Sequence, residues 1–131
     1  MYGDFEAQRH WMEITYHLPV REWYVNGTDN DLLYWGLDYP PLTAYHSYIM
    51  GFLAHVINPS WVSLHSSRGI QNTTHKMYMR LSAILPFHIF YVPAVLLFIF
   101  YEKTYELKAN SLMPLILLYP GLIAIDNAHF Q

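Results

Sequence analysis

Residues 81–101, LSAILPFHIFYVPAVLLFIFY, run for twenty-one positions without an Asp, Glu, Lys or Arg. A helix of that length rises roughly 30 Å, the hydrocarbon thickness of a bilayer. Pro86 and Pro93 would break a soluble helix, but a spanning helix tolerates them because neighbouring helices re-satisfy the freed backbone groups. The segment is therefore expected to be a transmembrane helix. Residues 102–110 form a short polar connector with Lys103 and Lys108, and residues 111–125 are apolar again. A second transmembrane helix with its polar end is expected over 111–131. So short a connector makes a helical hairpin, which puts Arg80 and Asp126 on the same side of the membrane.

Composition agrees with a chain that is not wholly meant for water. Only 13% of residues are charged, against about 25% in an average soluble domain. Aromatics reach 18%, with twelve Tyr and four Trp. Such side chains suit membrane interfaces and sugar-binding surfaces, because one end is apolar and the other wet. A net charge of −3 gives no electrostatic footprint for nucleic acid. With no cysteine, disulfides and thiolate zinc sites are excluded. The first twenty residues lack the basic stretch and apolar run of a signal peptide.

Residues 1–80 hold seven of the ten acidic residues and are rich in turn signals such as Asn26-Gly27 and Pro40-Pro41. Asp4 to His17 has helical spacing, with Glu6–His10 and Arg9–Glu13 as surface pairs four residues apart. Pro41 to Ile57 is expected to be an amphipathic helix with proline at its tolerated first position. Ser60 to Ser66 is expected to add a turn or two.

Several side chains are candidates for chemistry. Asp4 precedes a helical run, so it is read either as an N-cap or as a catalytic carboxylate. Asp38, in Trp35-Gly36-Leu37-Asp38-Tyr39-Pro40-Pro41, is read as a turn residue or as a base or sugar-hydroxyl acceptor between aromatic walls. Asp126 and His129 follow the second apolar segment, where an ionisable group at membrane depth is a functional candidate. His88 is expected to bond a neighbouring helix. Among eight histidines, only His10 shares a helical face with two carboxylates, Glu6 and Glu13. No His-Glu-x-x-His pattern and no Gly-rich phosphate loop is present, so no metal site is expected. Asn26-Gly27-Thr28 and Asn72-Thr73-Thr74 are N-glycosylation triplets, with Asn26 the better placed.

Three stretches carry a resemblance. Residues 2–13, YGDFEAQRHWME, residues 35–46, WGLDYPPLTAYH, and residues 118–131, LYPGLIAIDNAHFQ, resemble the endoplasmic reticulum glucosyltransferases that use dolichyl phosphate glucose. The chain looks more similar to the branch adding the first glucose, through an α-1,3 linkage, than to the branch adding the second. The resemblance implies an all-α, polytopic membrane protein of the C-type glycosyltransferase fold, of which this chain would be a fragment or truncated product. It places residues 1–80 in the lumen and residues 102–110 in the cytosol. It implies a multi-pass protein of the endoplasmic reticulum membrane with the active site facing the lumen. Asp4 maps onto the family's catalytic base. The implied partners are dolichyl phosphate glucose as donor, a mannose of the dolichyl-pyrophosphate oligosaccharide as acceptor, and the lipid bilayer; no cofactor is implied. A β-linked donor and an α product make the reaction inverting. Asp38, Arg9, Trp11, Tyr39, Asp126 and His129 are the candidate substrate-binding residues. Arg9, Arg68 and Arg80 are the candidate cations for the donor phosphate. Where the family has a Gly just before its last His, this chain has Asn127-Ala128 before His129. Two other classes are weighed: a non-catalytic membrane protein acting as an interaction partner, and a transporter piece using His88 and Asp126. The transporter reading is the weaker, because only His88 and Ser82 interrupt the apolar span.

Overall fold

A computed structural model describes residues 3–101 and 114. Among these the regular structure is helical, without strands. Helix α1 (Asp4–His17), α2 (Pro41–Ile57), α3 (Thr73–Pro86) and α4 (Val92–Tyr101) are joined by 3₁₀ turns at Val20–Glu22 and Pro59–Trp61 and a π turn at Phe87–Tyr91. The connector, Asp126 and His129 lie outside the described residues, as does the second expected span except for Pro114. The chain divides into two compact units, Met1–Tyr78 and Met79–Gln131.

In the first unit, α1 and α2 take the bounds their punctuation predicts. Leu18 turns extended (φ −100°, ψ 149°) before Pro19 and ends α1, its amide still bonding Ile14 O at 2.9 Å; a residue preceding proline is pushed out of the helical region. Pro41 starts α2, where its missing N–H costs nothing, and Asn58 leaves it extended before Pro59.

Packing departs from the amphipathic expectation for α2. The buried side of α2 consists of Ala44, Ser47, Gly51 and Ala54. Leu42 stands 84% exposed, and Ile49, Phe52, Leu53, Val56 and Ile57 are exposed as well. Helix α1 packs on the small-residue side. A Cβ on Gly51 would come 2.5 Å from the Met12 carbonyl oxygen and 3.2 Å from Tyr16 Cβ. Small residues that let two backbones approach, with large apolar residues facing outward, are the membrane-protein arrangement rather than the soluble one. Ala7, Trp11 and Ile14 of α1 join Trp23, Leu37 and Ala44 in one buried apolar cluster.

Thr73–Tyr101 is one continuous apolar helix of 29 residues, long enough to cross a bilayer, with a mean hydropathy of 2.2 in its most apolar window. It begins eight residues before Leu81, because Lys76 and Arg80 extend the helix beyond its uncharged stretch. The π turn falls between the two prolines, where the Val92 amide reaches back to Phe87 O. A wider turn is a common accommodation of backbone groups freed by proline. His88 Nδ1 bonds Ile84 O within the same helix at 2.9 Å.

Candidate functional site

Asp4 is the first residue of α1, and Gly3 (φ 73°, ψ −146°) is the N-cap. The N-cap position thus falls to Gly3 rather than Asp4, and Gly3 has no side chain to cap with. A carboxylate in the first turn is still favoured by the helix dipole. Asp4 is exposed, and its neighbour Phe5 is buried edge-on to His75, ring centroids 5.6 Å apart. His75 also packs on Trp61 at 5.1 Å, and Trp61 on Tyr78 at 5.5 Å. The start of α1 is therefore docked on the first turns of the membrane-capable helix.

Behind Asp4, α1 carries a buried ionic network. Arg9 donates to Glu6 Oε1 from Nε at 2.9 Å and from a terminal nitrogen at 2.7 Å. Its other terminal nitrogen lies 2.7 Å from Glu13 Oε2 and 2.6 Å from Ser67 Oγ. Glu13 Oε1 accepts the His65 amide at 2.7 Å, and Glu13 Oε2 lies 3.2 Å from His10 Nδ1. Tyr34 donates to Glu6 Oε1 at 3.0 Å, and the Arg68 guanidinium lies 4.3 Å from the Tyr34 ring centre. Glu6, Arg9, His10 and Glu13 are all buried, which corrects their reading as surface pairs. The pairing also shifts: Glu6 bonds Arg9, and Glu13 takes both Arg9 and His10.

Desolvation opposes the charges of Glu13 and Arg9, and their partners overcome it. Burial would raise the Glu13 carboxyl, but the His10 hydrogen bond, the Arg9 charge and the His65 amide bring it down to about 2. Burial would likewise lower Arg9, yet the Glu6 hydrogen bond and both carboxylates hold it above its ordinary value. The network ties residues 65–68 to α1 across more than fifty positions of sequence.

The second carboxylate lies on the loop between the Val20–Glu22 turn and α2. Trp11 Nε1 donates to Trp35 O at 2.8 Å, and the Trp11 ring packs on Tyr39 with centroids 5.2 Å apart. Tyr24 donates to Tyr39 O at 2.8 Å. Asp38 is exposed between buried Leu37 and half-exposed Tyr39. The structure thus joins Trp11 to Tyr39. Two of the candidate substrate-binding residues, Arg9 and Trp11, lie in the interior: Arg9 donates to Glu6, Glu13 and Ser67, and Trp11 anchors the loop carrying Asp38. Among the described residues no three His, Asp or Glu side chains are placed to hold one metal ion.

Over residues 1–131 the chain matches the family model described as ALG6, ALG8 glycosyltransferase family. The chain belongs to the ALG6, ALG8 glycosyltransferase family. It is 59% identical over its whole length to the probable dolichyl pyrophosphate Man9GlcNAc2 alpha-1,3-glucosyltransferase of Caenorhabditis elegans, covering 25% of that protein. It is 56% identical to the mouse (Mus musculus) dolichyl pyrophosphate Man9GlcNAc2 alpha-1,3-glucosyltransferase and 47% identical to that of Saccharomyces cerevisiae, covering all of this chain and 26% and 24% of those proteins. The chain spans about a quarter of the length of these curated relatives. As an ALG6, ALG8 family member it carries its two exposed candidate carboxylates on separately braced elements, Asp4 on α1 and Asp38 on the loop pinned by Trp11.

The charge pattern of α1 carried a missed signal for the buried network. Phe5 and Met12 fall on one side of α1 and Ala7, Trp11 and Ile14 on the opposite side, so its polar stripe is flanked by apolar residues on both edges. Tyr34 and Ser67 carried no comparable mark in the sequence.

Proposed function

We propose that these residues form the lumenal loop region and the following span of a transferase that moves glucose from dolichyl phosphate glucose to a mannose of the dolichyl-pyrophosphate oligosaccharide, with inversion. The observation that carries this reading is identity of 47–59% across the whole chain to proteins named as alpha-1,3-glucosyltransferases of the dolichyl pyrophosphate Man9GlcNAc2 substrate. The geometry supports it. Asp4 is exposed beside the first turns of a membrane-capable helix, the depth at which the head group of a lipid-linked donor would lie.

In this mechanism the Asp4 carboxylate takes the proton of the attacking mannose hydroxyl. The hydroxyl oxygen bonds the anomeric carbon of glucose as the carbon–oxygen bond to phosphate breaks, and dolichyl phosphate leaves with the electron pair. Phosphate is a good leaving group, so no general acid is needed and one positioned base suffices. Arg9 serves as a positioning residue that fixes α1 under Asp4. Arg68, stacked on Tyr34, and Arg80, exposed on α3, are the remaining candidate phosphate ligands, because Arg9 is spent on Glu6 and Glu13. Asp38 with the exposed ring of Tyr39 offers acceptor sugars a hydroxyl acceptor and an apolar face. Asp126 and His129 are retained as substrate-binding candidates, and residues 111–131 as a second span of a C-type fold.

The test supplies the complete protein, in detergent with lipid, with labelled dolichyl phosphate glucose and the lipid-linked oligosaccharide. Label is expected in an α-linked glucose of the oligosaccharide, with no transfer from a nucleotide-linked glucose. Transfer is expected to survive a chelator. Loss of activity restored by magnesium or manganese would make a carboxylate here a metal ligand.

A further inference from the structure

We infer that Asn26 is N-glycosylated and that Asn72, the other acceptor triplet, is not. The inference rests on the lumenal placement of residues 1–80 proposed above. The chain has three Asn-x-Ser/Thr triplets, at Asn26, Asn58 and Asn72. Pro59 occupies the middle position of the second and removes it as an acceptor.

The two remaining triplets differ in what the fold asks of the asparagine. Asn26, Gly27 and Thr28 are all exposed, and a Cβ built on Gly27 would meet no atom within 4 Å. The loop is a formed one. Buried Asn30 directs its amide at the carbonyls of Glu22, Trp23 and Val25 at 2.9, 3.1 and 3.2 Å, and the Gly27 amide bonds Asn30 O at 2.9 Å. Asn26 Oδ1 accepts the Leu32 amide at 3.2 Å, so its oxygen is the engaged atom and its nitrogen is the one to be modified. A bulky, hydrated glycan is accommodated there without loss of a buried contact.

Asn72, Thr73 and Thr74 are exposed as well, but they open a helix. Asn72 Oδ1 accepts the Thr74 amide at 2.8 Å and the His75 amide at 3.4 Å, an N-cap on α3. Thr73 and Thr74 are the first helical residues of the 29-residue membrane-capable helix. The triplet is therefore wound into a helix at the bilayer edge, where an oligosaccharyl transferase cannot take it as an open loop.

The reaction balances with a lipid-pyrophosphate-linked oligosaccharide as co-reactant. Asn26 Nδ2 bonds the anomeric carbon of the reducing-end sugar, the carbon–oxygen bond to pyrophosphate breaks, and the amide proton leaves to base. The lipid pyrophosphate departs with the electron pair.

The experiment expresses the complete, tagged protein in sealed microsomes and compares its mobility before and after endoglycosidase H. Wild type, Asn72→Gln and Thr28→Ser should lose the same mass, and Asn26→Gln and Thr28→Ala should each lose one glycan's mass less. Thr28→Ala leaves the Asn26–Leu32 hydrogen bond in place, so its result reads the triplet and not the loop. Protease added to the same microsomes should leave residues 1–80 intact. A full shift in Asn26→Gln with a reduced one in Asn72→Gln overturns the assignment. No shift at all with residues 1–80 protected overturns it and leaves the orientation standing. No shift with residues 1–80 digested removes both.

Discussion

Arg9 and Glu13 illustrate how a single buried side chain can brace a helix from inside the fold. Breaking a buried ion pair by removing one partner typically costs about 3–5 kcal/mol, because the other charge is left desolvated. Arg9→Met should therefore lower thermal stability sharply, with Glu6 and Glu13 both stranded. Arg9→Lys should not rescue it fully, since one ammonium cannot replace a planar fork shared by two carboxylates and Ser67. Undiminished stability in Arg9→Met would mean that the network is not buried as described. Glu13 adds a dependence on pH. Its folded-state value lies below its ordinary 4.5, at about 2. Its contribution is thus fully present above the ordinary carboxylate range and is lost as pH falls toward about 2. The melting-temperature gap between wild type and Glu13→Gln should be widest at pH 5 and above, and should close as the pH is lowered from there toward 2. A gap that widens with acidification would contradict the assigned sign.

Among the elements, α1 and α2 were legible because proline and the residue before it punctuate their ends at Leu18-Pro19, Pro40-Pro41 and Asn58-Pro59. The long apolar helix was legible from residues lacking charge, but its true start at Thr73 was not, since Lys76 and Arg80 are as compatible with a helix as with a loop. The π turn at Phe87–Tyr91 has no periodic signature of its own. The burial of α1's charges was hidden for a different reason. Glu and Arg three or four apart read the same on a surface helix and in an interior. The deciding partners, Tyr34 and Ser67, come from distant loops. The exposed carboxylates Asp4 and Asp38 could be singled out from sequence, whereas the bracing behind them required the fold. The contact between α1 and α2 yields its own prediction. Gly51→Ala places a Cβ 2.5 Å from the Met12 carbonyl oxygen, a backbone atom that cannot swing away. Overpacking of this kind costs about 1–3 kcal/mol, more than the roughly 0.5–1 kcal/mol that alanine gains over glycine in a helix. A net fall in thermal stability is expected, and a rise would show that the two helices are not this close.

At the scale of the whole molecule, the described residues comprise a unit with a buried polar and apolar interior and a helix that is long and apolar enough to cross a bilayer. Large apolar residues stand outward on α2, from Leu42 to Ile57, and a contiguous apolar surface of this kind is disfavoured in water. The 131 residues expressed alone should therefore require detergent or lipid and should transfer no glucose, because a groove for a polyprenyl chain needs further helices. Glucose transfer by the isolated chain would contradict this. The central claim is that Asp4 is the base. The measurement that tests it most directly is turnover by the complete protein carrying Asp4→Asn, with dolichyl phosphate glucose and the lipid-linked oligosaccharide supplied. Asn keeps the size of the side chain and most of the hydrogen bonds it can make, so folding should stay close to wild type. Removing a positioned base should lower turnover about 10²–10⁴-fold with acceptor binding unchanged, while Asp38→Asn should weaken acceptor use more than it slows the chemical step. Near-normal turnover in Asp4→Asn would contradict the account, and abolition in Asp38→Asn alone would transfer the role of base to Asp38.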